Sequence, residues 1–384
     1  MAPELRVPSR SKRTNDAYET GGQVFPFSET YFDTVMAARP LASVAALPVY
    51  AGSDLQVHSR KVEDVTFQVF LAKYYDYALL VDTLSAVGKL GRFRSALDLG
   101  SGPAIQARVL KLTGWTERCA ASDVYDARPR CSDRRLRRFG RLLWFLYRGY
   151  RAQQWLPTAI RDAVPRLRRM NNAFPIGVST FGYRPDERAY GAWLRRGSSL
   201  DAYHVGDILE HRGQYDLITS FMALEYFDFD RLVAKVGEWL DPGGIFAFLV
   251  AYWWYPVNNT LLYGRFPYLL QQLSTEKVLE YFARVHPEID PEGVTRRLLY
   301  SDRDRPTVAD YETLALKHRL APVCAIRLHP DPVRNERAVM GPMAIHALPE
   351  WRLETVLANA RRLNPTLTLS DLMTSHVLMV FEKQ

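Results

Sequence analysis

The sequence predicts an α/β fold in which helices alternate with the strands of a mostly parallel sheet. Three observations support this prediction. Short apolar runs of strand length occur repeatedly, for example at residues 95–99 and 245–251. Patterns with helical spacing separate successive runs, and a glycine turn joins the first run to its helix at residues 100–102. Strands that alternate with helices form parallel sheets through right-handed crossovers.

The chain is predicted to begin with a polar tail followed by a helical cap. Residues 1–22 are rich in charge and poor in apolar side chains, which is typical of a disordered tail. Residues 23–90 have a mostly helical pattern, and Gly88 suits its end. The chain shows no signal-peptide pattern and no apolar stretch near the roughly 20 residues that span a bilayer. With three widely separated cysteines as well, it is predicted to be cytoplasmic.

The sheet elements follow in order along the rest of the chain. The run "SALDLGSG" predicts the first strand, "AIQARVLKLTG" the following helix, and "RCAASDVY" a second strand that ends on Asp123. Next come "AYHVGDILE", "YDLITSFMALEYF", the helix "DRLVAKVGEWL", a turn at "DPGG" and the strand "IFAFLVAYWW". A helix after Thr307, the strand "APVCAIRLH", a helical stretch near 351–362 and the last strand "HVLMVFEK" complete the pattern.

The glycine turn after the first strand predicts that a ligand approaches the backbone closely. A dinucleotide fingerprint needs a third glycine, which allows the helix to pack beneath the pyrophosphate. Here Gly100 and Gly102 are present, but Ile105 occupies the third position and Pro103 follows Gly102 directly. This turn therefore favours a ligand that lacks a pyrophosphate.

The stretch from Asp98 to Gly102 resembles the first motif of class I S-adenosylmethionine-dependent methyltransferases, D-x-G-x-G. Further segments resemble later motifs of this family, in the family's order. These segments are Asp123, 25 residues after Asp98, then "GDI" at 206–208, "YDLITSF" at 215–221, "LDPGGIF" at 240–246 and "SHVLMVFEK" at 375–383. The resemblance covers roughly residues 90–255 and the end of the chain.

The resemblance implies a Rossmann-like, seven-stranded sheet with an antiparallel last strand, and S-adenosyl-L-methionine as cofactor. It implies that Asp123 accepts hydrogen bonds from both ribose hydroxyls, because a carboxylate offers two acceptor oxygens. It also implies that Asp207 takes the adenine amino group. Helix capping is the alternative role for Asp207. The predicted cofactor-binding residues are Tyr75, Asp98, Gly100, Ser101, Gly102, Asp123, Val124, Asp207, Ile208, Ser220 and Phe221.

Candidate catalytic residues follow the fourth strand. Many small-molecule methyltransferases carry Leu-Glu-His there, whereas this chain has Leu224-Glu225-Tyr226. The replacement of histidine leaves Glu225 and Tyr226 as the candidate general bases, and ordinary packing at a helix start is their alternative role. Four aromatic residues at 252–255 lie where the family builds its substrate wall, which favours a flat or apolar acceptor. No metal site is predicted.

A basic helical insertion is predicted between the second and third strands, at residues 127–200. Residues 128–169 hold thirteen arginines and two acidic residues, a local charge of +11 in a chain whose net charge is +8. Ser132 and Asp133 suit the start of an amphipathic helix. Its predicted apolar face consists of Leu136, Phe139, Leu142, Leu143, Leu146, Tyr147 and Tyr150. The arginines predicted to lie on the opposite side are Arg134, Arg137, Arg138, Arg141, Arg148 and Arg151. Four roles stay open: a solvated face, a lid over an anionic ligand, a membrane-surface contact and RNA binding.

The predicted domains are the tail at 1–22, the cap at 23–90, a methyltransferase domain at 91–126 and 201–384, and the insertion at 127–200. The predicted function is methyl transfer from S-adenosylmethionine to a small-molecule acceptor. Two alternatives stay open. One is an RNA methyltransferase that holds phosphates with the insertion, and the other is an inactive scaffold that keeps the fold. Peripheral membrane contact and the oligomeric state are also left open.

Overall fold

A computed structural model describes residues 65–128, 131–153, 200–224, 227–251, 306–328 and 356–384 without 373 and 375, with short pieces of 274–283. The predicted tail at 1–22 lies outside the described residues. So do most of the cap up to residue 64 and the insertion from 154 to 199.

Seven strands form one sheet in the described part of the chain. They are β1 (Phe93–Leu99), β2 (Thr116–Asp123), β3 (Ala202–Val205), β4 (Tyr215–Phe221), β5 (Leu240–Ala251), β6 (Leu320–Leu328) and β7 (His376–Lys383). Their order across the sheet is β3-β2-β1-β4-β5-β7-β6. The pairs among β1 to β5 are parallel, whereas β7 runs antiparallel to both β5 and β6. The predicted seven-stranded sheet with an antiparallel last strand is confirmed.

Several of the main helices have start signals that the sequence makes visible. They are α1 (Phe67–Ala86), α2 (Ile105–Leu112), α3 (Asp133–Gln153), α4 (Phe229–Trp239), α5 (Val308–Lys317) and α6 (Leu369–Leu372). The Thr66 hydroxyl accepts a hydrogen bond from the Val69 N–H at the start of α1. Thr307 and Asp310 form a reciprocal capping box at α5. These caps satisfy backbone donors that have no partner within the helix.

The sheet is covered on both faces. Buried residues of α1, α2 and α3 share one hydrophobic cluster with one face of the sheet, and those of α4 and α5 share a second cluster with the other face. On the first face, the Tyr77 hydroxyl donates to Thr113 Oγ1 at 2.9 Å and accepts from Trp115 Nε1 at 3.0 Å. This network attaches α1 to the segment that follows α2.

The structure corrects two local predictions. The predicted turn at "DPGG" lies inside β5, where the strand bulges. Tyr215 pairs with Leu240 and Leu217 with Ile245, so β5 has three more residues than β4 over this interval. Leu142, which was predicted to lie on the apolar face of the basic helix, is 41% exposed. The buried face of α3 is therefore narrower than its apolar residues suggest, since Leu136 and Leu143 are buried and Leu142 points away from them.

No helix among the described residues is long and apolar enough to cross a membrane.

The start of α3 agrees with the prediction, because Ser132 Oγ accepts a hydrogen bond from the Arg135 N–H at 3.3 Å.

Candidate functional site

The turn between β1 and α2 brings an open backbone loop to the carboxyl edge of the sheet. Gly100 has a φ of +61°, and a Cβ atom there would lie 2.4 Å from the Cβ of Ala223. Gly102 has a φ of +51°, but a Cβ atom there would meet no other atom within 4 Å. Both glycines supply a left-handed backbone, which is costly for other residues. Gly100 also permits close packing on the end of β4, whereas Gly102 borders empty space.

Asp123 lies at the end of β2, directly beside this loop. Its Oδ2 atom accepts a hydrogen bond from the Gly102 N–H at 2.7 Å, and its backbone carbonyl accepts one from the Gly206 N–H at 3.0 Å. Its Oδ1 atom accepts a longer bond from the Tyr125 N–H at 3.5 Å. A carboxylate has about four acceptor positions, so these two bonds leave capacity for a ligand. The next residue, Val124, is 55% exposed. An acceptor group and an exposed apolar side chain therefore stand side by side at the edge.

Asp98 is a buried carboxyl group in β1, two residues before Gly100. Its side chain is 1% exposed, and its Oδ1 atom accepts a hydrogen bond from Thr219 Oγ1 at 2.8 Å. Its Oδ2 atom has no hydrogen-bond partner among the described residues. Burial raises the pKa of Asp98 to about 7, against the lowering effects of Thr219 and of the Lys73 charge. A buried acceptor with no donor suits a site that a ligand's donor completes.

The remaining predicted residues either follow β3 or lie at the end of β4, and their side chains have different roles. Asp207 caps a short 3-10 turn at residues 208–210, where its Oδ1 atom accepts from the Leu209 N–H at 2.9 Å. Its side chain is exposed, and Ile208 beside it is buried. Ser220 is buried and its hydroxyl donates to the Leu99 carbonyl at 3.0 Å, while Phe221 is 4% exposed at the end of β4. Ser220 thus ties the ends of β1 and β4 together.

Ser101 completes the loop through its backbone. Its N–H donates to the Ser122 carbonyl at 3.1 Å, and its carbonyl accepts from the Ala104 N–H at 2.9 Å. These bonds hold the glycine loop against the end of β2.

Tyr203 in β3 contacts the glycine loop, although no pattern in the sequence predicts this role. Its hydroxyl donates to the Gly102 carbonyl at 2.6 Å, and the Arg128 guanidinium lies 5.1 Å from its ring centroid. Burial, with a further contribution from the Asp123 charge, raises the pKa of Tyr203 to about 12, so the hydroxyl stays a donor at neutral pH. Its position in a strand predicts no such contact, because the contact depends on where the loop lies in space.

A polar cluster on α1 and α2 was also missed. Lys73 Nζ lies 3.4 Å from Asp76 Oδ2, which also accepts from Gln106 Nε2 at 3.4 Å. Burial raises the pKa of Asp76, and Lys73 opposes this effect. The Lys73 charge also acts on Asp98, so this cluster belongs electrostatically to the site. One signal for this cluster was available in the sequence. Its three polar residues interrupt the otherwise apolar patterns of α1 and α2.

Several predicted residues cannot be assigned to the site. Tyr75 belongs to α1, but its side chain lies outside the described part of the structure. Glu225, Tyr226 and the aromatic residues 252–255 also lie outside it. Their proposed roles therefore stay predictions.

The described site is a group of three acidic residues and an open glycine loop at the carboxyl ends of the first four strands. Ligands of open α/β sheets bind at this edge. The order β3-β2-β1-β4-β5-β7-β6, with β7 antiparallel, is the sheet arrangement that the resemblance implied. The chain therefore has the fold of the class I S-adenosylmethionine-dependent methyltransferases.

Comparisons with known proteins give remote matches to solved structures. No protein-family model matches the chain, and no curated protein matches it. It is similar to a structure described as a putative sarcosine dimethylglycine methyltransferase from Galdieria sulphuraria, with 14% identity, coverage of 93% of this chain and 98% of that chain, and a TM-score of 0.37. It is also similar to geranyl diphosphate C-methyltransferase from Streptomyces coelicolor A3(2), with 12% identity, coverage of 97% and 99%, and a TM-score of 0.38. Because these likenesses are weak, the fold assignment rests on the strand order.

Proposed function

We propose that the protein is a methyltransferase that uses S-adenosyl-L-methionine. The observation that carries this proposal is the contact between Asp123 and the glycine loop. Asp123 Oδ2 lies 2.7 Å from the Gly102 N–H at the carboxyl edge, beside open space at Gly102. A carboxylate, an open loop and a buried acceptor oxygen at Asp98 match the polar groups of an adenosyl amino acid: ribose hydroxyls and an ammonium.

The residues present fit this cofactor. Asp123 would accept hydrogen bonds from the two ribose hydroxyls. Asp207 would receive the adenine amino group on the carboxylate oxygen that its capping bond leaves available, with Val124 and Ile208 as apolar neighbours of the ring. The open space at Gly102 leaves room for the methionine part, and Asp98 offers an acceptor to its ammonium group. When bound, the cofactor would supply the methyl group of its sulfonium to the acceptor, and the thioether that remains would leave without needing a proton.

In this proposal the protein contributes to the reaction mainly by positioning the two reactants. Tyr203 and Asp123 hold the glycine loop from two sides, through the carbonyl and the N–H of Gly102. The bond between Ser220 and Leu99 fixes the ends of β1 and β4 relative to each other. Holding two reactants in a productive geometry lowers the barrier of a displacement without any acid or base. Glu225 and Tyr226 remain the proposed bases for an acceptor that must lose a proton.

We propose that the acceptor is a small molecule with a flat or apolar part. The support is in the sequence: Leu224-Glu225-Tyr226 resembles the Leu-Glu-His of small-molecule methyltransferases, and four aromatic residues follow β5. An RNA methyltransferase and an inactive scaffold are the two alternatives. Purified protein with a high 260/280 nm absorbance ratio would favour the RNA alternative. Retained S-adenosylhomocysteine without turnover of any acceptor would favour the scaffold.

The first test is calorimetric titration of S-adenosylhomocysteine into the full-length protein and an Asp123→Ala variant. Loss of the ribose bonds should weaken binding by about 2–4 kcal/mol, since charge-assisted hydrogen bonds contribute about 1.5–3 kcal/mol each and water replaces them in part. Asp123→Asn is a second variant, because its amide oxygen still accepts from Gly102. Asp241→Ala is the matched control, because it removes the same type of side chain from a position outside the proposed site. Asp241 begins the bulge of β5 and pairs with Arg94 at 3.3 Å. Absence of binding to the folded parent protein would refute the proposal.

A further inference from the structure

We propose that the exposed side of α3 binds the surface of an anionic lipid bilayer. We call this side the basic face, and it consists of Arg134, Arg138, Arg141, Leu142 and Phe145. These residues lie four, seven, eight and eleven positions from Arg134, a spacing that places them on one side of a helix. All five are exposed, and Phe145 is 72% exposed.

The opposite side of α3 fixes the helix to the domain. Leu136 and Leu143 are 1% and 0% exposed. The Phe139 ring lies 5.6 Å from the rings of both Phe67 and Phe70 on α1, measured between centroids. The helix is therefore held by its buried side, and the basic face is directed away from the core.

The combination of arginines with exposed apolar residues indicates which class of ligand the basic face binds. Helices that lie in a membrane surface combine basic residues with large apolar side chains that enter the boundary between headgroups and acyl chains. Leu142 and Phe145 are 41% and 72% exposed beside Arg138 and Arg141. An RNA backbone would use the arginine charges, but it offers Leu142 no apolar surface. The basic face therefore fits anionic lipid better than RNA.

The arginines also form a groove at the start of the helix. Its volume is about 670 Å³, within the range of small-ligand sites. Arg134 and Arg138 are exposed in this groove, and a guanidinium group binds phosphate through paired N–H donors, so the groove suits a phosphate-bearing headgroup. The groove is lined by Ser132, Arg134, Arg135, Arg137, Arg138, Phe139 and Arg141.

The test measures flotation of the full-length protein with vesicles. One set contains equimolar phosphatidylglycerol and phosphatidylcholine, and the other contains phosphatidylcholine alone. The first variant combines Arg134→Gln, Arg138→Gln and Arg141→Gln. Its matched control combines Arg92→Gln, Arg212→Gln and Arg231→Gln, which removes the same charge from other exposed positions. The second variant combines Leu142→Ser and Phe145→Ser.

We expect binding to the anionic vesicles that weakens with salt. The first variant should bind them roughly 100-fold more weakly, since each basic residue at an anionic surface contributes about a factor of five. The second variant should lose about tenfold or more from the apolar contact, and the control should stay within a few-fold of the parent. Thermal unfolding of each variant checks that the fold is retained. If the first variant unfolds, Arg138→Gln alone and the salt dependence of the parent replace it.

Three results would overturn the inference. One is equal binding of the parent to both kinds of vesicle, or no binding to either. Another is a first variant that binds like the control. The third is displacement of the vesicles by a single-stranded RNA at the same phosphate concentration, combined with unchanged RNA binding in the variant that lacks Leu142 and Phe145. None of these measurements depends on cofactor binding, so the inference and the proposed function can fail separately.

Discussion

Two glycines of one loop offer a matched pair of substitutions, Gly100→Ala and Gly102→Ala. Both positions have a left-handed backbone, with φ of +61° and +51°. An added methyl group at Gly100 would lie 2.4 Å from the Cβ of Ala223, whereas at Gly102 it would meet no atom within 4 Å. The pair therefore separates backbone strain, which both variants share, from steric overlap, which only Gly100→Ala creates.

The expected losses of stability follow from these two terms. A left-handed alanine costs about 1–2 kcal/mol relative to glycine. The overlap at Gly100 adds about 1–3 kcal/mol, because the Cβ of Ala223 is fixed to its backbone and cannot rotate away. We expect Gly100→Ala to lower the free energy of unfolding by about 2–5 kcal/mol and Gly102→Ala by about 1–2 kcal/mol.

Urea denaturation of both variants measures these losses, and titration with S-adenosylhomocysteine measures the effect on the site. Gly102→Ala should weaken ligand binding despite its smaller effect on stability, since its methyl group enters the open space of the loop. Adding Ala223→Gly to Gly100→Ala should restore most of the overlap term. Equal destabilisation by the two substitutions, or no rescue by Ala223→Gly, would refute the packing of this loop on β4.

Three further predictions concern buried polar groups. The pKa of Asp98 is raised from 3.8 to about 7, so the native state holds a proton that the unfolded state releases between these pH values. The free energy of unfolding of the parent, relative to Asp98→Asn, should therefore fall by about 4 kcal/mol as pH rises from 4 to 8 and then level off. Tyr203→Phe removes the bond to the Gly102 carbonyl and should weaken S-adenosylhomocysteine binding several-fold, at a stability cost of about 1 kcal/mol. Tyr77→Phe leaves the buried Trp115 N–H without its acceptor and should cost about 1–3 kcal/mol in urea denaturation.

Each of these predictions has a result that contradicts it. A difference between the parent and Asp98→Asn that does not change with pH would show that Asp98 has an ordinary pKa. Unchanged ligand affinity in Tyr203→Phe would show that the loop does not need this bond. A Tyr77→Phe variant as stable as the parent would mean that Trp115 finds another acceptor. Tyr311→Phe, on the opposite face of the sheet, offers a comparison for the loss of a tyrosine hydroxyl.

The sequence determined the order of the elements and the composition of the loop. Residues 245–250 of β5 form a continuous apolar run, because both faces of this interior strand are buried. The glycines at 100 and 102 and the acids at 98, 123 and 207 could be read directly, since strand ends and turn residues depend on local chemistry. The start of α3 at Ser132 and Asp133 was equally local. The sequence also determined the +11 charge of residues 128–169.

Tertiary structure decided which of these residues meet and which sides remain exposed. The bond from Tyr203 to the Gly102 carbonyl joins residues 101 positions apart, and that from Thr219 to Asp98 joins residues 121 apart. The burial that shifts the pKa of Asp98 also comes from elements distant in the chain. Leu142 belongs to the same apolar helical pattern as the buried residues of α3. However, α1 covers only part of the apolar face that this pattern predicts. Local pattern fixes which side chains a segment presents, whereas burial and contact depend on how the segments pack.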